Sequence, residues 1–243
     1  MAMSPADAQT DRHRQVLLLS PPLEEYARTI RALVGLRRHL ESKGHTVAHW
    51  SPGAARPDRT EHLVVSELDA GVTAAIRRLG GAAPVLVGLR FGAYLAVRAV
   101  REGNAARAVL WEPALDPAQY LREAMRISIA NQLTTYGSVR FSDEHLLQDA
   151  ARTGYLLVDG YRLTQASLAD LKAAPSCSPE SLADSRPALS LLFWRNKRAF
   201  ERWRDAGFDA AFVPDVKLAW DSIRYFDANP VALFEATAER VTR

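Results

Sequence analysis

Val85-Leu86-Val87-Gly88-Leu89-Arg90-Phe91-Gly92-Ala93-Tyr94 reads as a strand running straight into a helix, with a glycine two residues to either side of the turn. The apolar run Pro84–Leu89 has the length and β-branched character of a strand buried on both faces. From Phe91 to Glu102 the pattern becomes helical. Small residues flanking such a turn permit a strained elbow that lifts one side chain above the sheet, the setting in which G-x-S-x-G presents a nucleophilic serine. Here the lifted side chain is Arg90, and a guanidinium does not serve as an acyl-transfer nucleophile.

Strands and helices alternate outward from this junction. Gln15–Ser20, His45–Trp50 and Ala106–Trp111 are short apolar runs, separated by helical patterns over about residues 25–43 and 66–79. Such alternation predicts a parallel, doubly wound sheet. The rhythm breaks over residues 116–175, where a long amphipathic helix (117–134), a shorter one (144–153) and an extended stretch (155–164) follow one another. It resumes with strand 188–194, helix 197–206, strand 209–219 and a final helix at 230–241. The expected fold class is α/β: a mainly parallel sheet built from 14–115 and 187–243, an inserted, mostly helical cap at 116–175, a linker at 176–186, and a disordered tail at 1–13.

Four blocks in this order resemble the α/β-hydrolase-like proteins associated with exosortase A systems, of the hydrolase 2 type. Pro21-Pro22-Leu23-Glu24-Glu25 is similar to that family's Pro-Pro-Phe-x-Glu-Glu, and Gly88-Leu89-Arg90-Phe91-Gly92-Ala93 to its Gly-Leu-Arg-Leu-Gly-Ala. Leu110-Trp111-Glu112-Pro113 is similar to Leu-Trp-Gln-Pro, and Val158 to Leu163 to Val-x-Gly-Tyr-x-Leu. The resemblance spans residues 15–175 and implies an α/β-hydrolase fold in a bacterial biosynthetic setting.

Hydrolysis by a Ser-His-Asp triad is excluded twice over. In that fold the acid and then the histidine follow the serine in the chain. The six histidines are His13, His39, His45, His49, His62 and His145, so none follows the last strand, where Trp220 and Asp221 stand instead. Arg195 follows strand 188–194, at the usual place of the acid. Losing one triad member costs on the order of 10⁴–10⁶ in rate.

An arginine at a helix N-terminus makes an anion trap, while the loop that ordinarily supplies an oxyanion N–H carries Glu24 and Glu25. Arg90, Glu25 and Asp221 are therefore the candidate catalytic groups, with Arg90 anchoring an anion and a carboxylate moving a proton. Glu24, Leu89, Phe91, Trp111, Glu112, Tyr161 and Trp220 are the candidate substrate-binding residues, with Tyr161 as a lid and the tryptophans as apolar walls. Asp116 stands with Glu112 at the mouth of the cap. Two chemistries fit. One is a repurposed enzyme performing isomerisation, epimerisation, elimination or condensation. The other is a pseudo-hydrolase that binds a ligand or acts as a scaffold, with Arg90 as an ion-pair partner. An atypical esterase using Cys177 or Ser20 is a third reading, set aside because neither has a catalytic setting in the sequence.

Composition bounds the partners. With 48% hydrophobic and 24% charged residues the 243-residue chain is ordinary for a globular protein. Net charge is +3, lysine occurs only at Lys43, Lys172, Lys197 and Lys217, and no block of like charge offers a nucleic-acid footprint. No apolar stretch spans a bilayer, so no membrane contact is expected. His45 and His49 lie too far apart along a strand to share a metal, and neither metal nor cofactor is expected. The lone Cys177 and a polar N-terminus fit a cytoplasmic protein acting on a small anionic molecule, with apolar cap faces that could pair two copies.

Overall fold

Six parallel strands make the central sheet of the computed structural model, which describes residues 13–52, 60–221 and 229–243. The tail expected at 1–13 thus lies outside the described residues except for His13, and so does most of the loop at 51–60. The strands are β1 (Gln15–Leu19), β2 (Thr46–Trp50), β4 (Val85–Leu89), β5 (Arg107–Trp111), β8 (Leu189–Phe193) and β9 (Asp209–Phe212), in the order β2-β1-β4-β5-β8-β9. β1 and β4 are neighbours although the chain passes through β2 between them. The order reverses between them, and ligand crevices form outside the carboxyl ends of strands at such points.

The sheet is buried on both sides because its strands alternate two apolar sets. Val16, Leu18, Val85, Val87, Leu89, Val109 and Trp111 face one core with helices α1 (Leu23–Ser42) and α8 (Val231–Thr242). Leu17, Leu19, Leu86, Ala108 and Leu110 face the other, with α2 (Val65–Leu79), α3 (Phe91–Arg101) and α7 (Lys197–Asp205). A period of two on buried strands produces this division.

Between β5 and β8 lie α4 (Pro117–Tyr136), α5 (Asp143–Thr153), a hairpin of β6 (Tyr155–Val158) and β7 (Tyr161–Thr164), and α6 (Gln165–Ala173). Four details correct the sequence reading. The extended stretch is an antiparallel hairpin turning at Asp159-Gly160, and the short β3 (Thr60–Glu61) pairs with β7 to give a second, three-stranded sheet. α6 was not anticipated. The supposed linker is ordered: a 3₁₀ helix occupies Ala183–Ala188, and Cys177 is buried, its N–H donating to the Leu115 carbonyl. β9 also ends at Phe212, seven residues earlier than the apolar pattern suggests. No helix among the described residues is long and apolar enough to cross a membrane.

Candidate functional site

Gly88 and Gly92 are dictated by crowding. A Cβ on Gly88 would lie 2.5 Å from the Gly92 carbonyl oxygen, and one on Gly92 would lie 2.2 Å from that of Leu19. Between them Arg90 adopts φ 54°, ψ −116°, a conformation that L-residues avoid. The turn is therefore a strained elbow. Strain gathers around it: of the five described non-glycine residues with positive φ, Leu23, Arg90, Glu112 and Asp159 border the same cleft. Each such residue costs about 1–3 kcal/mol and persists only where its surroundings over-determine it.

The guanidinium of Arg90 is held on every side. Nε donates to Glu25 Oε1 at 3.4 Å, Nη1 to the Glu112 carbonyl at 3.4 Å, and Nη2 to Glu123 Oε2 at 2.5 Å. Its flat face lies 4.4 Å from the Trp220 ring centroid. Burial alone would lower the Arg90 pKa, but Glu25 and Glu123 outweigh it and hold the pKa above its usual value. The anion trap is thus occupied by the protein's own carboxylates.

Glu25 is the unusual member of the cluster. It is buried, its Oε2 has no hydrogen-bond partner among the described residues, and burial pushes its carboxyl pKa up despite the opposing pull of Arg90. Glu123 adds to the rise through like charge. Tyr120 lies beside it, fully buried, with its own pKa raised well above 10.0, chiefly by burial and then by Glu25. The Tyr120 hydroxyl donates to the Pro22 carbonyl at 3.4 Å. Glu25 and Tyr120 border a cavity of about 20 Å³, room for about one water. Adjoining it are a pocket of about 430 Å³ bordered by Arg90, Glu123, Arg126 and Arg195, and a groove of about 930 Å³ running along α4 to the hairpin.

The places that a triad acid and histidine would take are joined by a different pair. Arg195 donates to both carboxylate oxygens of Asp221, at 2.6 and 3.0 Å, and covers the other tryptophan contact, 4.7 Å from the Trp220 centroid. Asp221 therefore pairs with Arg195 rather than with Arg90, and Arg195 holds its pKa down against the opposing effect of burial.

The remaining sequence candidates divide. Glu24 borders the cleft and pairs with Arg28 at 3.7 Å. Glu112 borders the pocket but commits its carboxylate to the backbone: Oε1 accepts from the N–H groups of Trp194 (2.7 Å), Arg195 and Asn196 (3.2 Å). Leu89 and Trp111 are fully buried on the α1/α8 side, where Trp111 Nε1 donates to Thr237, so they do not line the cleft. Phe91 is fully buried against Tyr120 and Tyr94. Tyr161 packs partly buried against the larger core from β7, and Asp116 caps α4 by accepting from the Gln119 N–H. His45 and His49 serve separate bonds, to the Arg14 N–H and to the Ser20 hydroxyl. Ser20 has no exposed surface, and burial pushes the Cys177 thiol pKa up, so neither is an activated nucleophile.

Glu123, Tyr120 and Arg28 escaped the sequence reading. Arg28 donates to the Trp220 carbonyl at 3.1 Å and approaches Asp159 at 3.9 Å. Only a helix-face count placing Tyr120, Glu123 and Ile127 on one side of α4 would have hinted at the first two.

Solved structures decide what the architecture is. Est1E from Butyrivibrio proteoclasticus matches with a TM-score of 0.57 at 11% identity, over 96% of this chain and 86% of its own. The chain has the α/β-hydrolase fold. A variant of tomato methylketone synthase I complexed with β-ketoheptanoate matches at 0.54 and 13% identity, over 94% and 96% of the two chains. The esterase domain of a Rhodothermus marinus protein matches at 0.52 and 14% identity, over 97% and 89%. At these identities the likeness concerns fold. No family model matches the sequence, and no curated protein does.

Proposed function

We propose that this protein is a non-hydrolytic enzyme of the α/β-hydrolase fold that moves a proton on a small anionic or carbonyl substrate. It is of the exosortase-associated hydrolase 2 type and works in a bacterial cytoplasm. The single observation that carries the reading is Glu25: a buried carboxyl on the wall of the cleft, held by Arg90 at one oxygen and with its pKa raised by burial. Raising a carboxyl pKa by burial is how one fold obtains a general acid or base near neutral pH. Arg90 fixes that one oxygen of the carboxyl and supplies positive charge where an enolate or held carboxylate would develop negative charge. Isomerisation, epimerisation, elimination and condensation all use such a pair. Asp221, committed to Arg195, is here part of the pocket wall rather than a proton carrier.

Solvent deuterium exchange at the carbon next to the carbonyl, followed by NMR with phenylpyruvate and acetoacetate as probes, tests this. The wild-type protein is expected to catalyse exchange, Glu25→Gln to lose at least about 100-fold of it, and Arg90→Ala to lose it as well. Equal exchange by wild type and Glu25→Gln would sink the proposal.

A second reading is favoured by one specific observation, the saturation of Arg90 by two carboxylates, a carbonyl and an aromatic face. Under it the protein binds a ligand without changing it. Recovery of an unaltered bound ligand whose affinity is the same in Glu25→Gln would select that reading.

A further inference from the structure

The three polar partners of Arg90 are not equally committed. Glu25 has a side chain only 9% exposed, and the Glu112 carbonyl belongs to a strained backbone pinned to β8 through its own carboxylate. Glu123 is different. Its side chain is 37% exposed, it stands on α4 rather than on the sheet, and its other oxygen accepts only from the Gln119 amide at 3.2 Å. It is the one partner able to leave without unfolding anything. Arg126, three residues further along the same helix, is exposed, borders the same pocket of about 430 Å³, and pairs with no carboxylate among the described residues.

We propose that Glu123 is a stand-in for the ligand's own oxyanion. A ligand carboxylate or phosphate replaces it on Nη2 of Arg90 and takes a second contact from Arg126. The assignment rests on the cleft being the ligand site argued above, and it adds which group the ligand displaces. The exchange is balanced in charge. One anion leaves Arg90 as another arrives, so the buried guanidinium is never left with Glu25 alone, and no unpaired charge is created in a dry site. The arriving anion also inherits the effect of Glu123 on Glu25, whose carboxyl its negative charge helps to keep neutral. The charge of an empty site is thereby neutralised, and an occupied one keeps its proton carrier in the same state. Arg126 supplies the net attraction that lets the ligand win over an internal carboxylate already present at high effective concentration.

Isothermal titration with inorganic phosphate and with acetate, each against potassium chloride at matched ionic strength, tests the exchange. Glu123→Gln is expected to bind the preferred probe at least about fivefold more tightly than wild type, because the competitor is gone. Arg126→Ala is expected to bind about tenfold more weakly with an unchanged melting temperature. Whichever of phosphate and acetate gains more identifies the ligand's anionic group. Unchanged or weaker binding by Glu123→Gln, while Arg90→Ala still abolishes binding, would overturn the stand-in role and leave the site itself standing. Binding indifferent to Arg90→Ala would instead remove the site. Wild-type protein labelled with ¹³C at glutamate carboxyls provides a check independent of any variant: phosphate or acetate at saturation must move the Glu123 signal, and no movement with either, or the same movement with chloride, overturns the proposal.

Discussion

Two arginines approach Trp220, and the contrast between them explains the site. Arg90 rises from the elbow at the end of β4, is 8% exposed in its side chain, and shares two carboxylates. Arg195 leaves the end of β8, is 40% exposed, and has Asp221 to itself. Both guanidiniums lie near the same indole, yet only the first has been taken out of water. Coulomb attraction in a poorly screened interior is large, and so is the cost of getting charges there. Arg90 and Glu25 are therefore held by mutual necessity: each would be intolerable in a dry site without a partner, while Glu123, part-exposed, is not bound in the same way. The outer pair is close to indifferent, because water would solvate either partner alone.

The strongest way to break the contrast is to remove the buried cation. Arg90→Ala leaves Glu25 in a dry pocket and Glu123 without its partner, and is expected to cost about 3–5 kcal/mol of unfolding free energy. Urea denaturation measures it. Because Glu25 escapes the penalty by taking up a proton, the loss should shrink as the pH is lowered. A loss below about 1 kcal/mol at neutral pH would mean that water reaches the cluster and that its burial is not what holds it.

Acidity sharpens the comparison through its sign. Glu25 has a folded pKa raised above its ordinary 4.5. Such a group contributes its full stability below 4.5 and loses it as pH rises through the folded value. Asp221 has a folded pKa below its ordinary 3.8, so its contribution is present above 3.8 and is lost as pH falls through the folded value. Measured against Glu25→Gln, wild-type stability should decline as pH rises above about 4.5 and through the raised folded value. Measured against Asp221→Asn it should instead fall on acidification below 3.8. Two carboxylates beside two arginines on one tryptophan respond oppositely because one is desolvated beyond what its partner restores and the other is not. Parallel slopes in thermal-melt series across pH would refute that account.

How much of this the sequence carried follows from what each signal reports. Gly88 and Gly92 mark the elbow because only glycine fits where their Cβ atoms would strike the Gly92 and Leu19 carbonyls, so a backbone constraint is written directly as residue type. The missing histidine after β9 is equally legible, since an absence needs no geometry. The alternation of Val85, Val87 and Leu89 also held the information that Leu89 faces away from the cleft, and parity along β5 does the same for Trp111; proximity to the elbow in sequence obscured both. Asp159-Gly160 is a two-residue hairpin signal of the ordinary kind, hidden because the flanking strands are only four residues each. Glu123 was not legible. Its role depends on the rotational setting and tilt of α4 over the elbow, which tertiary packing of Tyr120 on Phe91 decides and the helix's own pattern does not.

The smallest effect belongs to the outer pair, and it is the most discriminating for that reason. Replacing Arg195 by Ala or Asp221 by Asn should change stability by only about 0.2–1 kcal/mol, in line with an exposed ion pair, even though its two bonds of 2.6 and 3.0 Å are individually as good as those of the cluster. Good geometry without burial contributes little. If Asp221→Asn instead cost as much as Arg90→Ala, then Trp220 would be carrying strain from one arginine to the other, and the two pairs would be one network. A double-mutant cycle between positions 90 and 221 resolves it: independent pairs give a coupling below about 0.5 kcal/mol, and a shared network gives one well above that. Independence is expected, since Asp221 spends both of its oxygens on Arg195 and Arg90 acts on it only as the weakest of its charge influences.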